Sequence, residues 1–129
     1  MPYVTDDDSK AARRITEIKQ QLQEARAEFG RWLAAADTPT EASELAERER
    51  EGKMLTDRLQ ALATALTLQR ALAGPTVHAQ ERTLAQASPK KMKNFGYRPV
   101  TVQFLGGVEI VLMARYWCRN QVRAEKGRG

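Results

Sequence analysis

The 129-residue chain contains one histidine, His78, and one cysteine, Cys118. A helical zinc or iron site of i, i+4 spacing needs a second ligand four residues on, where Arg82 stands, and there is no second histidine. A disulfide framework or a cysteine-ligated zinc knot needs further thiols. His78 therefore reads as a solvated side chain, and no metal and no cofactor are implied. Of the sixteen acidic residues, only Glu109 and Glu125 lie beyond position 89. The other fourteen fall at the N-terminus or on what read as helix faces. Two-metal nuclease chemistry needs several carboxylates clamped on a rigid scaffold. There is also no nucleophile–base pair and no glycine-rich phosphate loop. A free-standing enzyme is the least supported class, and no catalytic residue is assigned.

The residue types that can do something in combination are basic and aromatic. Residues 90–129 hold nine Lys or Arg against two acids, a net charge of +7, whereas residues 1–89 carry −2. Such a field concentrates polyanions. Within it, Tyr97, Tyr116 and Trp117 interleave with Arg98, Arg115 and Arg119, and Lys90, Lys91, Lys93 and Arg123 flank them. Stacking surfaces alternating with phosphate-neutralising charge are the equipment of nucleic-acid binders. These ten residues are the candidate DNA-binding set. Two blander readings compete: a basic tail that only confers solubility, and aromatics that only pack a hairpin.

The elements that must position these residues follow from periodicity. From Ser9 to Ala36 the apolar positions are Ile15, Ile18, Leu22, Ala25, Phe29, Trp32 and Ala36. Alternating steps of three and four keep them on one side of a helix about 42 Å long, with the strict spacing of a coiled-coil seam. Ser9 is the expected cap, with Asp6–Asp8 against the positive end of the dipole. Thr38, Pro39 and Glu41 read as N-cap, first helical position and capping-box acid of a second helix ending at Gly74-Pro75. Its seam is Leu45, Leu55, Leu59, Leu62, Leu66 and Ala73. Between Leu45 and Leu55, Arg48 and Gly52 occupy seam positions, so Glu47–Gly52 reads as a solvated, salt-bridged stretch or a weak point. The two helices form an expected antiparallel hairpin. Because each offers one narrow stripe, Ile15, Ile18, Leu22, Phe29 and Trp32 are assigned as an oligomerisation seam, implying a homo-oligomer.

Residues 76–87 suit a short third helix with Val77, Leu84 and Ala87 as apolar handles, and Lys90–Asn94 read as a basic linker. The period then changes to two. Val100, Val102 and Phe104 alternate with Thr101, Gln103 and Leu105, Gly106-Gly107 supply a positive-φ turn, and a return strand runs from Val108 to Trp117. An isolated hairpin is marginal in water, so this one needs a further surface. The fold class is α+β: a long, coiled-coil-like helical hairpin (1–74), a short helix and linker (75–93), a β-hairpin (94–119) and a basic, flexible tail (120–129). No run approaches the ~20 apolar residues of a membrane span and the N-terminus lacks signal-peptide order, so a cytoplasmic chain with no membrane partner is expected.

Asn94-Phe95-Gly96-Tyr97-Arg98 through Tyr116-Trp117-Cys118-Arg119 resembles a segment of bacterial insertion-sequence transposases. The shared pattern is G-Y-R, an alternating strand, a glycine turn, a V-x-[IV] strand and R-Y-[YW]-C-R, preceded in that family by a helical region. The likeness covers 94–119, and the helices only loosely. It implies a non-catalytic N-terminal piece of a DDE-type transposase, cut short, that binds DNA or mediates assembly in transposition. Two departures limit what carries over. A C-x-x-C continuation from Cys118 would need cysteine where Gln121 stands, so no zinc site is completed, and the carboxylate triad has no matching positions. The alternative is a small coiled-coil interaction or regulatory protein unrelated to transposition.

Overall fold

The structure, a computed structural model, describes residues 6–35 and 41–119. The expected cap Thr38, the expected first helical residue Pro39, the seam residue Ala36, and the tail with Arg123 lie outside the described residues. Five elements follow in order: α1 (Asp6–Ala34), α2 (Ala42–Ala73), α3 (Pro75–Ala87), β1 (Met92–Gln103) and β2 (Glu109–Arg119). The fold is α+β, with three helices preceding a two-stranded antiparallel hairpin. None of the described helices is long and apolar enough to cross a membrane.

Helix ends differ from expectation by a few residues. The first helix starts at Asp6, which puts Ser9 inside its first turn instead of at the cap. Helix α2 starts at Ala42 with Glu41 as N-cap and no side-chain capping bond, so Glu41 is not the third residue of a capping box. Gly74 closes α2 in an extended conformation (φ −78°, ψ 159°), and Pro75 opens α3 at its first position, where a missing N–H costs nothing.

The seam of α1 faces its own chain. Ile18 is fully buried and joins Ala25, Ala61, Leu62, Ala65, Leu66, Ile110 and Leu112 in one core, with Ile15 and Leu22 packed against it. Of the seam residues, Ile18 is therefore covered within its own chain, whereas Ile15, Leu22, Phe29 and Trp32 are only partly buried. The hairpin supplies the surface that two narrow helical stripes lack. Small residues on α2, Ala61 and Ala65, let α1 and the strands approach closely.

At the other end of α1, Trp32 organises the contact with α2. Its ring stacks on Phe29 with centroids 5.8 Å apart, its Nε1–H donates to Glu51 at 3.0 Å, and the Arg48 guanidinium lies 4.4 Å above it. Arg48 also donates to the Trp32 carbonyl oxygen at 3.3 Å. A Cβ on Gly52 would stand 2.8 Å from the indole, so the glycine leaves the space that the ring fills. Arg48 and Gly52 thus hold their seam positions as the receptor for one tryptophan, and the stretch is packed where it was expected to be weak. The neighbouring Glu47–Arg50 ion pair is exposed, as expected of a solvated face. Leu45, expected in the seam, is exposed.

The hairpin is longer than its alternating core. Met92, Lys93 and Asn94, read as linker, are strand residues opposite Arg119, Cys118 and Trp117. The turn is a three-residue loop: Phe104 N–H donates to Val108 O at 2.8 Å, and Leu105, Gly106 and Gly107 span the gap. Gly106 and Gly107 take φ of 86° and 79°, a region costly for any residue with a Cβ. Antiparallel pairs alternate between inward and outward main-chain groups, and the Phe104–Val108 bond sets the phase. On β2 the outward residues include Val111 and Met113; on β1 they include Pro99, whose missing N–H is harmless there.

The outer edge of β2 is closed by two side chains. Gln69 on α2, fully buried, donates its amide N–H to Met113 O at 2.9 Å and accepts Met113 N–H at 2.7 Å. Arg14 on α1 donates to Val111 O at 2.7 Å. One carboxamide therefore does what a third strand would do at that residue. Buried main-chain groups require such partners, and a polar side chain in the core is stable only when both ends are bonded.

Candidate nucleic-acid interface

The candidate residues separate into two groups at the open end of the hairpin, opposite its turn. Three of the aromatic–basic set face inward against α3. Tyr97 and Arg115 are directly opposed in the ladder and both nearly buried, with the guanidinium 5.2 Å from the Tyr97 ring. Arg115 pairs with Glu81 at 3.2 Å, and the Trp117 Nε1–H donates to the other Glu81 oxygen at 3.2 Å. His78, one turn before Glu81, lies with its ring 6.3 Å from that of Trp117. It is half-buried at this junction, where a solvated position was expected.

This junction explains the face that α3 presents. His78, Glu81 and Ala85 share one side, and Ala85 is its buried residue, while the expected handle Leu84 is exposed. Tyr97, Arg115 and Trp117 therefore brace the hairpin against the helices. Glu81 and Gln69 carry no signal in the sequence that separates them from surface residues of an amphipathic helix. Their roles depend on which strand atoms lie opposite.

The second group is exposed. Lys90 and Lys91 lead into β1, and Lys93, Arg98 and Arg119 lie on the strands. Met92 pairs with Arg119 and Lys93 with Cys118, so Lys93 and Arg119 stand on adjacent rungs at the end of the ladder, and Lys90 and Lys91 immediately precede it. Cys118 is a half-buried free thiol between them. The Arg98 guanidinium lies 4.4 Å over the exposed Tyr116 ring, a cation–π contact that holds both at the surface. Glu81, the acid that approaches this end, is occupied by Arg115 and Trp117. Among the described residues, no ion pair engages Lys90, Lys91, Lys93, Arg98 or Arg119.

One exposed residue here escaped the sequence reading. Between Asn94 and Tyr97 the register shifts, so Phe95 and Gly96 together face Tyr116. Gly96 has φ 93° and its N–H is held by the Asn94 Oδ1 at 2.9 Å. The bulge presents Phe95 outward, with nearly half its surface exposed. Its signal was the asparagine–aromatic–glycine order, which permits an outward kink.

Among the described residues no group of three His, Cys, Asp or Glu side chains is arranged to hold a metal ion. A cleft of about 420 Å³ lies far along the hairpin, where Gly106, Val108 and Glu109 meet Met54, Asp57 and Arg58 of α2. No protein-family model, curated protein or solved structure matches the chain.

Proposed function

We propose that the chain is a non-catalytic DNA-binding module that engages phosphates through Lys90, Lys91, Lys93, Arg98 and Arg119. The observation that carries this reading is the gathering of these exposed cations at one end of the hairpin, where the nearby acid is already paired. The helices act as an antiparallel, coiled-coil-like support, braced to this end through the Glu81 contacts with Arg115 and Trp117. With the resemblance of residues 94–119, this makes the chain the N-terminal, DNA-engaging part of an insertion-sequence transposase. A second reading, assembly with another protein, is supported by Leu33, Leu45 and Met54, each exposed by half or more near the Trp32 contact. Such scattered residues are a weaker signal than the charge.

Duplex affinity measured against salt tests the proposal. Five phosphate contacts correspond to a slope of about −4.5 in log affinity against log salt, at −0.9 per contact. Changing Lys90, Lys91 and Lys93 together to serine is expected to bring the slope to about −1.8. A slope near zero, or one that the triple variant leaves unchanged, overturns the proposal.

A further inference from the structure

We propose that the site takes unpaired bases, with Phe95 as the stacking residue, so that its preferred ligand is single-stranded nucleic acid. This rests on the DNA-binding reading and specifies the ligand of the same face. Phosphate neutralisation alone would need only the lysines and arginines. The bulge does something that charge does not require: it turns an apolar ring out of the ladder into solvent, opposite Tyr116. The display is built rather than loose. Gly96 adopts a positive φ that the kink needs, and the Asn94 side chain fixes its N–H.

Two partly exposed aromatic residues, Phe95 in the bulge and Tyr116 on the strand opposite it, among cations, match what unstacked bases recognise. Tyr116 has a guanidinium over its ring, which extends its flat surface and adds charge beside it. Phe95, with nearly half its surface exposed, supplies the apolar ring for a base. A closed duplex keeps its bases stacked and inaccessible to a protruding phenyl ring, so the contact is specific to single strands, loops or frayed ends. Lys90, Lys91 and Lys93 then track the phosphates that flank the stacked base.

The test compares a labelled oligothymidylate with a duplex of equal length, using the full chain and its Phe95→Ala and Phe95→Trp variants. Phe95 is half-exposed and outside the buried core, so thermal melting monitored by circular dichroism should still show a cooperative transition, lowered by a few degrees at most in Phe95→Ala. Phe95→Ala is expected to weaken single-strand binding about tenfold or more, the usual consequence of losing one stacked base, and to change duplex binding less than about twofold. Phe95→Trp is expected to retain the preference. If Phe95→Ala leaves both affinities unchanged, or lowers both equally, the stacking proposal fails while the salt-dependent DNA-binding reading stands. If neither polymer binds the wild-type chain, both fail.

Discussion

Ile18→Asp is expected to abolish the cooperative unfolding transition of the chain. Ile18 is fully buried among Leu62, Leu66, Ile110 and Leu112, at the place where α1, α2 and β2 converge. Truncating such a side chain costs about 2–5 kcal/mol, and an unpaired buried carboxylate adds several more. Domains of this size have about 5–15 kcal/mol in all. Urea unfolding followed at 222 nm should show a sloping, non-cooperative signal. Leu33→Asp, on the exposed part of the same helix, should unfold within about 0.5 kcal/mol of the wild type. An Ile18→Asp chain that stays folded, and only changes its sedimentation, would mean that the seam faces a second molecule.

Glu81→Ala is expected to cost about 2–4 kcal/mol and to loosen α3 from the hairpin. The change strands the Arg115 guanidinium, which is almost fully buried, and leaves the Trp117 Nε1–H without its acceptor. Breaking a buried ion pair from one side costs about 3–5 kcal/mol; the lower figure reflects the partial exposure of Glu81, which admits water. Replacing both partners by leucine removes the stranded charge and should recover most of the loss, so a double-mutant cycle isolates the pair. Hydrogen exchange of amides near 94–98 and 114–118 should accelerate in Glu81→Ala. A loss below about 0.5 kcal/mol would show that Arg115 finds water as readily as it finds Glu81.

Both effects concern side chains whose burial the sequence states unequally well. The α1 seam was legible because apolar residues at three- and four-residue steps can satisfy themselves only on one face. What covers that face was not, since a stripe looks the same whether its partner is the same chain or another. Here the covering surface is Ile110 and Leu112, which sit about ninety residues away in sequence. The Gly106-Gly107 turn was legible because few residues tolerate positive φ; the extra residue in its loop depends on strand register. Arg48 and Gly52 looked like defects in a seam, and only the position of Trp32 shows them to be its receptor.

The candidate site was legible in composition and less so in arrangement. Charge counting located the basic third of the chain. It could not divide Arg98 from Arg115, which differ by which side of a twisted ladder they occupy and by whether a carboxylate on α3 reaches them. Tyr97 and Trp117 were drawn into structural roles by the same helix. Phe95 precedes the alternating stretch that begins at Val100, so no periodicity marks it, and its exposure arises from one bulge.

The claim that the open end of the hairpin binds nucleic acid is tested most directly by mapping amide chemical shifts while an oligonucleotide is titrated into the labelled chain. The account predicts shifts concentrated at residues 90–98 and 114–119, with α1 and the turn at 105–108 unmoved. Shifts centred on the long helices or the turn, or none at concentrations where binding is seen by other means, would contradict it.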